Sequence, residues 1–286
     1  MRCLTFILSV VLLAMIFLSM AQQAHAQQYN FVTDGTFSNT NSTGLSPGSG
    51  NGATTNGGML GYNVNAVGWS NTTSNSALGY NFLFTTNMVN NTNSVTGNDG
   101  PLALYNNKSA TNGFTNPPGG GNFIAADGVY QTAAITQTIS GLVVGDFYEL
   151  SFYYGAAQQT TYTTATTENW QVTLSRSAGG TVYTSYTTPT LTNPPAGFTG
   201  WDLATVSFTA SRTSEVLSFL AGGTPSGQPP FSLLADVSIV AVPEASSVIA
   251  ASLLLLILCA APILKSFKQK EGETLGSTEG LESGHS

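Results

Sequence analysis

Between residues 27 and 241 the chain has neither cysteine nor histidine. Its two cysteines, Cys3 and Cys259, and its two histidines, His25 and His285, all lie outside that stretch. A disulfide, a thiol nucleophile, a Ser-His-Asp triad, a Cys-His dyad and a histidine zinc site are therefore excluded from it. Charge is scarce too: Asp, Glu, Lys and Arg make up 7% of the chain, with a net charge of −7. In the central stretch nine acids (Asp34, Asp99, Asp127, Asp146, Glu149, Glu168, Asp202, Glu215 and Asp236) stand against three bases (Lys108, Arg176 and Arg212), a balance of −6. With no basic patch to neutralise phosphates, nucleic acid is excluded as a partner. A sustained 3.6-residue period is also missing there, which argues against helices.

What is present are aromatics, at 10% of the chain, set among Thr, Asn, Ser and Gly. Disordered chains carry few aromatics and high net charge, so residues 27–241 are expected to fold as one large all-β domain with a substantial core.

Both ends of the chain are apolar. Arg2 precedes an apolar stretch over 4–20, and Ala24-His25-Ala26 places small residues at −3 and −1 of a cleavage site before Gln27. Residues 1–26 thus read as a secretory signal peptide. At the other end, an uncharged apolar run over 248–264 is followed by Lys265, Lys268 and Lys270. About 17–25 residues cross a bilayer, and a basic cluster marks the cytoplasmic flank. The order Val242-Pro243-Glu244, apolar run, basic cluster over 242–270 resembles a PEP-CTERM sorting signal. Ala245 stands where that family has its second proline, and sixteen residues, 271–286, form an acidic tail beyond Lys270. The resemblance implies an exosortase-type sorting enzyme as partner, a membrane stage, and delivery to the cell surface or the extracellular polysaccharide. The alternative is a plain single-pass anchor that is not cleaved.

The central stretch alternates with period two. Tyr148, Leu150, Phe152 and Tyr154 share one phase; so do Trp170, Val172 and Leu174, and so do Leu233, Ala235, Val237 and Ile239. Tyr80, Phe82 and Phe84 alternate in the same way, and Tyr29–Val32 is a short strand candidate. Such alternation predicts half-buried antiparallel strands. Gly and Pro pairs between them predict the turns of a sandwich or barrel. Trp201 and Leu203 lie on the opposite phase from Val206 and Phe208, which predicts a β-bulge near Ala204. Two segments of low complexity, 38–58 and 106–122, read as long mobile loops.

Three patches carry a second resemblance. Residues 138–152 (TISGLVVGDFYELSF) look like the strand–turn–strand of galactose-binding-like jelly rolls, which include many carbohydrate-binding modules. Residues 30–37 (NFVTDGTF) resemble the opening of those folds, and 234–239 (LADVSI) their closing strand. The resemblance implies a jelly-roll β-sandwich and, in many members, one structural Ca²⁺ between the opening motif and the last strand. Here Asp34 and Asp236 would supply carboxylates, whereas Ser38 and Ala235 stand where the family has acids. The other reading is that Asp34 closes an Asx-turn and Asp236 faces solvent.

A sugar-binding surface needs exposed aromatics with amides or carboxylates beside them. Tyr62, Trp69, Tyr153, Tyr162 and Tyr183 are the aromatic candidates, with Asn169, Gln171 and Asp236 as polar partners. Tyr153 sits on the polar phase of its strand, and Trp69 follows Gly68; Trp170 and Trp201 read as core. Glu149 and Glu168, both read as lying on non-core phases, are the pair a glycoside hydrolase would need, but no motif marks them. The reading is a non-catalytic, glycan-binding exported protein. Its alternative is a structural or adhesive surface protein with no defined sugar pocket.

Overall fold

The computed structural model describes residues 29–42, 56–72, 79–86, 88 and 94–242. The signal-peptide, sorting-motif, membrane-run and tail expectations, and most of the 38–58 segment, fall outside these residues. Tyr29–Val242 form one compact unit.

Every ladder in the two main sheets is antiparallel. The first sheet runs β14 (Asp202–Thr209), β10 (Phe147–Gln158), β16 (Pro230–Ala241), β8 (Phe123–Asp127), β5 (Asn81–Phe84), β2 (Gly57–Met59). The second runs β12 (Val182–Thr187), β11 (Thr166–Ser175), β15 (Ser214–Thr224), β9 (Ala134–Ser140), β4 (Ser70–Thr72), with β13 (Leu191–Asn193) paired to the start of β11. Two small ladders complete the set, β1 (Thr40–Ser42) with β3 (Val64–Ala66) and β6 (Val95–Gly97) with β7 (Gly100–Leu102). From β8 to β11 the chain changes sheet at every step, as it does again from β14 to β16. This alternation between two facing antiparallel sheets makes the domain a jelly-roll-like β-sandwich.

The period-two residues explain the inner layer. Tyr148, Leu150, Phe152 and Tyr154 of β10 face Trp170, Val172 and Leu174 of β11 and Leu217 and Phe219 of β15, all buried in one cluster. Rings meet edge-on at its centre, Phe152 to Phe219 at 5.1 Å and Trp170 to Phe219 at 6.1 Å. The Trp170 indole donates to the Leu233 carbonyl (2.9 Å), so its one polar atom is satisfied without water.

A second apolar cluster was not foreseen. It covers the outer side of the first sheet and joins Phe82, Phe84, Phe123, Phe231 and Leu233 to Leu104 and Phe114 of the segment after β7. Strands β5, β8 and the first half of β16 are thus buried on both sides.

This layer corrects two expectations. No bulge lies near Ala204: β14 pairs with β10 without a break from Phe147↔Thr209 to Tyr154↔Asp202. Trp201 simply precedes the strand and packs on the outer cluster, while Val206 and Phe208 pack inward. The bulge is in β16, where Ser151 faces Ser238 but Tyr153 faces Ala235. Asp236, at φ 53°, supplies the extra residue, and a short acidic side chain tolerates this left-handed conformation. Leu233 and Ala235 therefore point out, whereas Val237 and Ile239 point in.

The 106–122 segment is a packed cover rather than a free loop. Its asparagines take the place of a ladder: Asn106 Nδ2 donates to Met88 O (2.7 Å), Asn107 Nδ2 to Phe114 O (2.6 Å), and Asn112 Nδ2 to Tyr105 O (3.1 Å) and Ala196 O (3.0 Å). Backbone groups that would otherwise be stranded over an apolar layer are thereby satisfied. Asn30-Phe31-Val32 is not a ladder strand; it docks on β16 through Phe31 N–H to Ile239 O (2.9 Å) and Ile239 N–H to Asn30 Oδ1 (3.0 Å).

Candidate functional site

The residues singled out as sugar contacts are not brought together. Trp69 is only 5% exposed; it packs on Phe37 and Phe219 in the inner core and donates Nε1–H to Asp34 O (3.1 Å). Tyr153 faces outward from the first sheet but lies half-buried against the second cluster. Asn169 and Gln171 are on the outer side of the other sheet, where Gln171 helps line a shallow cleft of ≈ 380 Å³ with Thr136, Thr173, Ser175 and Ser218. That surface offers hydroxyls but no aromatic ring.

The two acids weighed as a catalytic pair are also separated. Glu149 is half-exposed on the outer phase of β10. Glu168 shares the phase of Trp170 and is fully buried, which reverses the expectation that it lies on a non-core face. Its Oε1 accepts from Thr166 Oγ1, and its Oε2 has no hydrogen-bond partner. Burial pushes its pKa up to about 8, so the carboxyl is largely protonated at neutral pH.

The opening motif and the last strand do meet. Gly35 lies so close to β16 that a Cβ would sit inside the Val237 carbonyl, and Gly35 O accepts from Val237 N–H (2.9 Å). Ca²⁺ takes six to eight oxygens; Asp34 and Asp236, the carboxylates of the two segments that meet, each already accept N–H groups. Both Asp34 oxygens accept N–H groups, from Ser38 (2.9 Å) and Asn39 (3.1 Å), four and five residues on rather than the two of an Asx-turn. Asp236 Oδ2 accepts Gly119 N–H (2.7 Å), leaving Oδ1 buried and without a partner. Burial raises both carboxyls above the ordinary range. Among the described residues no group of three or more His, Cys, Asp or Glu side chains could hold a metal.

A different place gathers sugar-type chemistry. At the end of the sandwich where β8 and β10 finish and β16 begins, a cleft of ≈ 340 Å³ is lined by Tyr80, Tyr130, Tyr162, Asp99, Asp127 and Gln159, closed by the 226–229 turn. Tyr80 stands between Phe82 (4.6 Å) and Tyr130 (5.0 Å), edge-on to both. This anchors the cleft wall on the second cluster. Tyr130 is 46% exposed, and its hydroxyl donates to Asp99 Oδ2 (3.4 Å). Gln131 Nε2 reaches the Tyr130 hydroxyl (3.2 Å) and Asp99 Oδ2 (3.5 Å).

Asp127 is the buried acid of the cleft. Its Oδ1 accepts the N–H groups of Val129 (2.9 Å) and Tyr130 (3.3 Å), which sets the turn that presents the Tyr130 ring. Burial outweighs those bonds and pushes its pKa up to about 6. The Tyr80 hydroxyl is pushed up to about 12, by burial first and then by Asp99 and Asp127, so it stays a neutral donor. The turn can sit this low because Gly128 crosses directly over Gly222 and Gly223, where a Cβ would collide with backbone. Tyr162 was among the aromatic candidates. Tyr80 and Tyr130 were missed because Tyr80 reads as strand core and Tyr130 belongs to no periodic segment.

No family model matches the chain, and no curated protein does. Solved structures do. A CBM4 structure is 22% identical over 42% of this chain and 70% of its own, at a TM-score of 0.29. The K1 cleaved adhesin domain of Lys-gingipain from Porphyromonas gingivalis is 12% identical over 62% and 92%, at 0.36. TmCBM61 in complex with beta-1,4-galactotriose is 10% identical over 62% and 90%, at 0.31. Likenesses of this size assign no ligand.

Proposed function

We propose that the chain is an exported, membrane-anchored, glycan-binding protein with no catalytic activity, and that the tyrosine–acid cleft is its binding site. The observation that carries this reading is the cleft itself. Exposed and half-exposed tyrosine rings offer apolar faces for a pyranose. Asp99, Asp127 and Gln159 offer acceptors and donors for its hydroxyls, in a volume within the roughly 300–1,000 Å³ of small-ligand sites. Two carboxylates with no base among the lining residues favour an uncharged sugar over a uronate or sulfate.

The galactose-binding-like resemblance of the three sequence patches fits this reading. So does the arrangement of a signal peptide over 1–26 and a PEP-CTERM-like segment over 242–270, the latter to be handled by an exosortase-type enzyme and leading to the cell surface or extracellular polysaccharide. A glycoside hydrolase is the second reading, favoured by one observation: Asp127 has the raised carboxyl pKa of a general acid, with Asp99 lining the same cleft.

The test is binding of the full chain in detergent to a panel of neutral and acidic polysaccharides, with calcium and with chelator. Saturable binding to a neutral glycan, lost in Tyr130→Ala, is expected. Absence of binding across the panel would move the chain to a structural surface protein. Release of reducing ends, lost in Asp127→Asn, would make it a hydrolase.

A further inference from the structure

Nine large apolar side chains are exposed among the described residues, and five of them (Tyr29, Val143, Val144, Phe147 and Val242, between 42% and 72% exposed) are at one end of the sandwich. Their grouping follows from the bonds around them. Val242 N–H donates to Phe147 O (2.8 Å) where β16 and β10 meet. Val143 N–H donates to the hydroxyl of Tyr148 (2.9 Å), the residue after Phe147. Tyr29 packs edge-on against Phe31 (4.9 Å), which packs edge-on against Tyr148 (5.3 Å).

The turn between β9 and β10 forces the valines outward. Leu142 is drawn into the core, and Gly141 (φ 85°) and Gly145 (φ 94°) reverse the chain around it. Val143 and Val144 are left at the tip. The nearby formal charges are Asp146 in this turn, Arg212 in the turn bonded to it (Gly145 N–H to Ala210 O, 2.9 Å), Glu215, which accepts the Arg212 N–H (3.1 Å), and Glu149 two residues past Phe147. A cap of valines with Tyr and Phe at its rim is the composition that sits at a bilayer interface.

The chain leaves the domain through this cap. Five residues, 243–247, separate Val242 from the apolar run at 248–264, and the six steps from Val242 to Val248 reach at most about 22 Å. With that run in a membrane, Val242 cannot stand farther than this from the bilayer. We infer that the Tyr29/Val143/Val144/Phe147/Val242 end is a membrane-docking surface that seats the domain on the lipid interface and fixes its orientation. This rests on the membrane-anchor part of the proposed function and goes beyond it. A flexible tether alone would leave the orientation free. Strand β10, twelve residues long, runs from Phe147 at this end to Gln158 beside the cleft. At about 3.3 Å per residue, the eleven steps along the strand set the cleft up to roughly 36 Å from the cap.

The test uses the full chain, with Cys3→Ser and Cys259→Ser, reconstituted in uncharged phosphatidylcholine vesicles. A bimane label is placed at Val144→Cys, and at Ser226→Cys, beside the cleft, as the distal control. Brominated lipid is expected to remove at least about half of the Val144 fluorescence, as for a probe seated roughly 5–10 Å into the interface, and to leave the Ser226 label unchanged. Resistance to alkaline extraction from the vesicles, with no quenching at Val144, would overturn the docking surface and keep the anchor. Extraction by alkali would remove the anchor and the docking surface together. Self-quenching of the Val144 label in detergent would hand the patch to a second copy of the chain and overturn lipid as its occupant.

Discussion

On its outer side the first sheet carries Phe82, Phe123, Phe231 and Leu233 under a cover built from the chain after β7. The second sheet carries Gln171 in the open, with Thr173 and Ser218 half-buried beside it. The two faces derive from the same kind of strand, alternating with period two, yet one is a second core and the other a wetted hydroxyl surface. A face rich in hydrogen-bonding groups is thus not automatically the place for a ligand. Aromatic rings and two acids, the buried Asp127 and the exposed Asp99, collect at the margin of the apolar face, where the cover ends and a cleft is left between Tyr80, Tyr130 and Tyr162.

The largest expected effect tests whether the cover is a true core. Phe123 stacks on Phe84 (5.4 Å) and meets Trp201 edge-on (5.8 Å) in the outer cluster, as Phe219 meets Phe152 in the inner one. Phe123→Ala and Phe219→Ala should each cost about 3–5 kcal/mol in urea unfolding. A cost below about 1 kcal/mol for Phe123→Ala alone would show the cover to be a loose strap rather than a core.

Glu168 separates the inner core from both outer faces by its pH response. Its folded pKa of about 8 lies above the ordinary value of 4.5, so over that interval the folded chain holds a proton that the unfolded chain has lost. Stability is therefore full below about 4.5 and declines as pH rises to about 8. Glu168→Gln should abolish this decline and stabilise the domain by roughly 1–3 kcal/mol at pH 8.5. A thermal midpoint with the same pH slope in both proteins would show the decline to have another source.

At the cleft the effects are on binding. Tyr130→Ala should weaken glycan affinity by about tenfold or more, roughly 1.4 kcal/mol. Its unfolding free energy should stay within about 0.5 kcal/mol of the parent, as for other surface changes. Loss of stability without loss of affinity would make the ring a structural part of the turn. Titration gives a finer test. Asp127 ionises at about 6, so affinity should fall as pH drops below that value and the carboxylate acceptor becomes neutral. Affinity unchanged down to pH 5 would take Asp127 out of the contact. The smallest effect is expected on the second sheet, where Gln171→Ala should leave affinity unchanged and stability within about 0.5 kcal/mol. A tenfold loss there would move the binding site to the hydroxyl face.

Much of this architecture was legible from the residues. The phases of β10 and, from Asn169 on, of β11 were read correctly because one side of each packs on the inner core, and simple alternation reports that. β16 was misread because Leu233, Ala235, Val237 and Ile239 look like one face, although a bulge at Asp236 divides them between two. No periodicity signals a change of side when apolar residues wait on both. Glu168 shows the same blindness: its charge suggested solvent, but its parity with Trp170 places it inside.

The sequence alone settled what could be read one strand at a time: an all-β domain without cysteine or histidine chemistry, its inner faces, and the glycine turns that reverse it. Those properties depend on backbone period and residue type, which are local. Only the tertiary structure decided that a segment rich in Asn and Gly roofs one sheet, that Trp69 is core, and that Tyr80, Tyr130, Tyr162, Asp99 and Asp127 share a cleft while five exposed apolar residues gather at the other end. Each of these joins residues from distant parts of the chain, held together by sheet pairing and apolar burial that no window along the sequence contains.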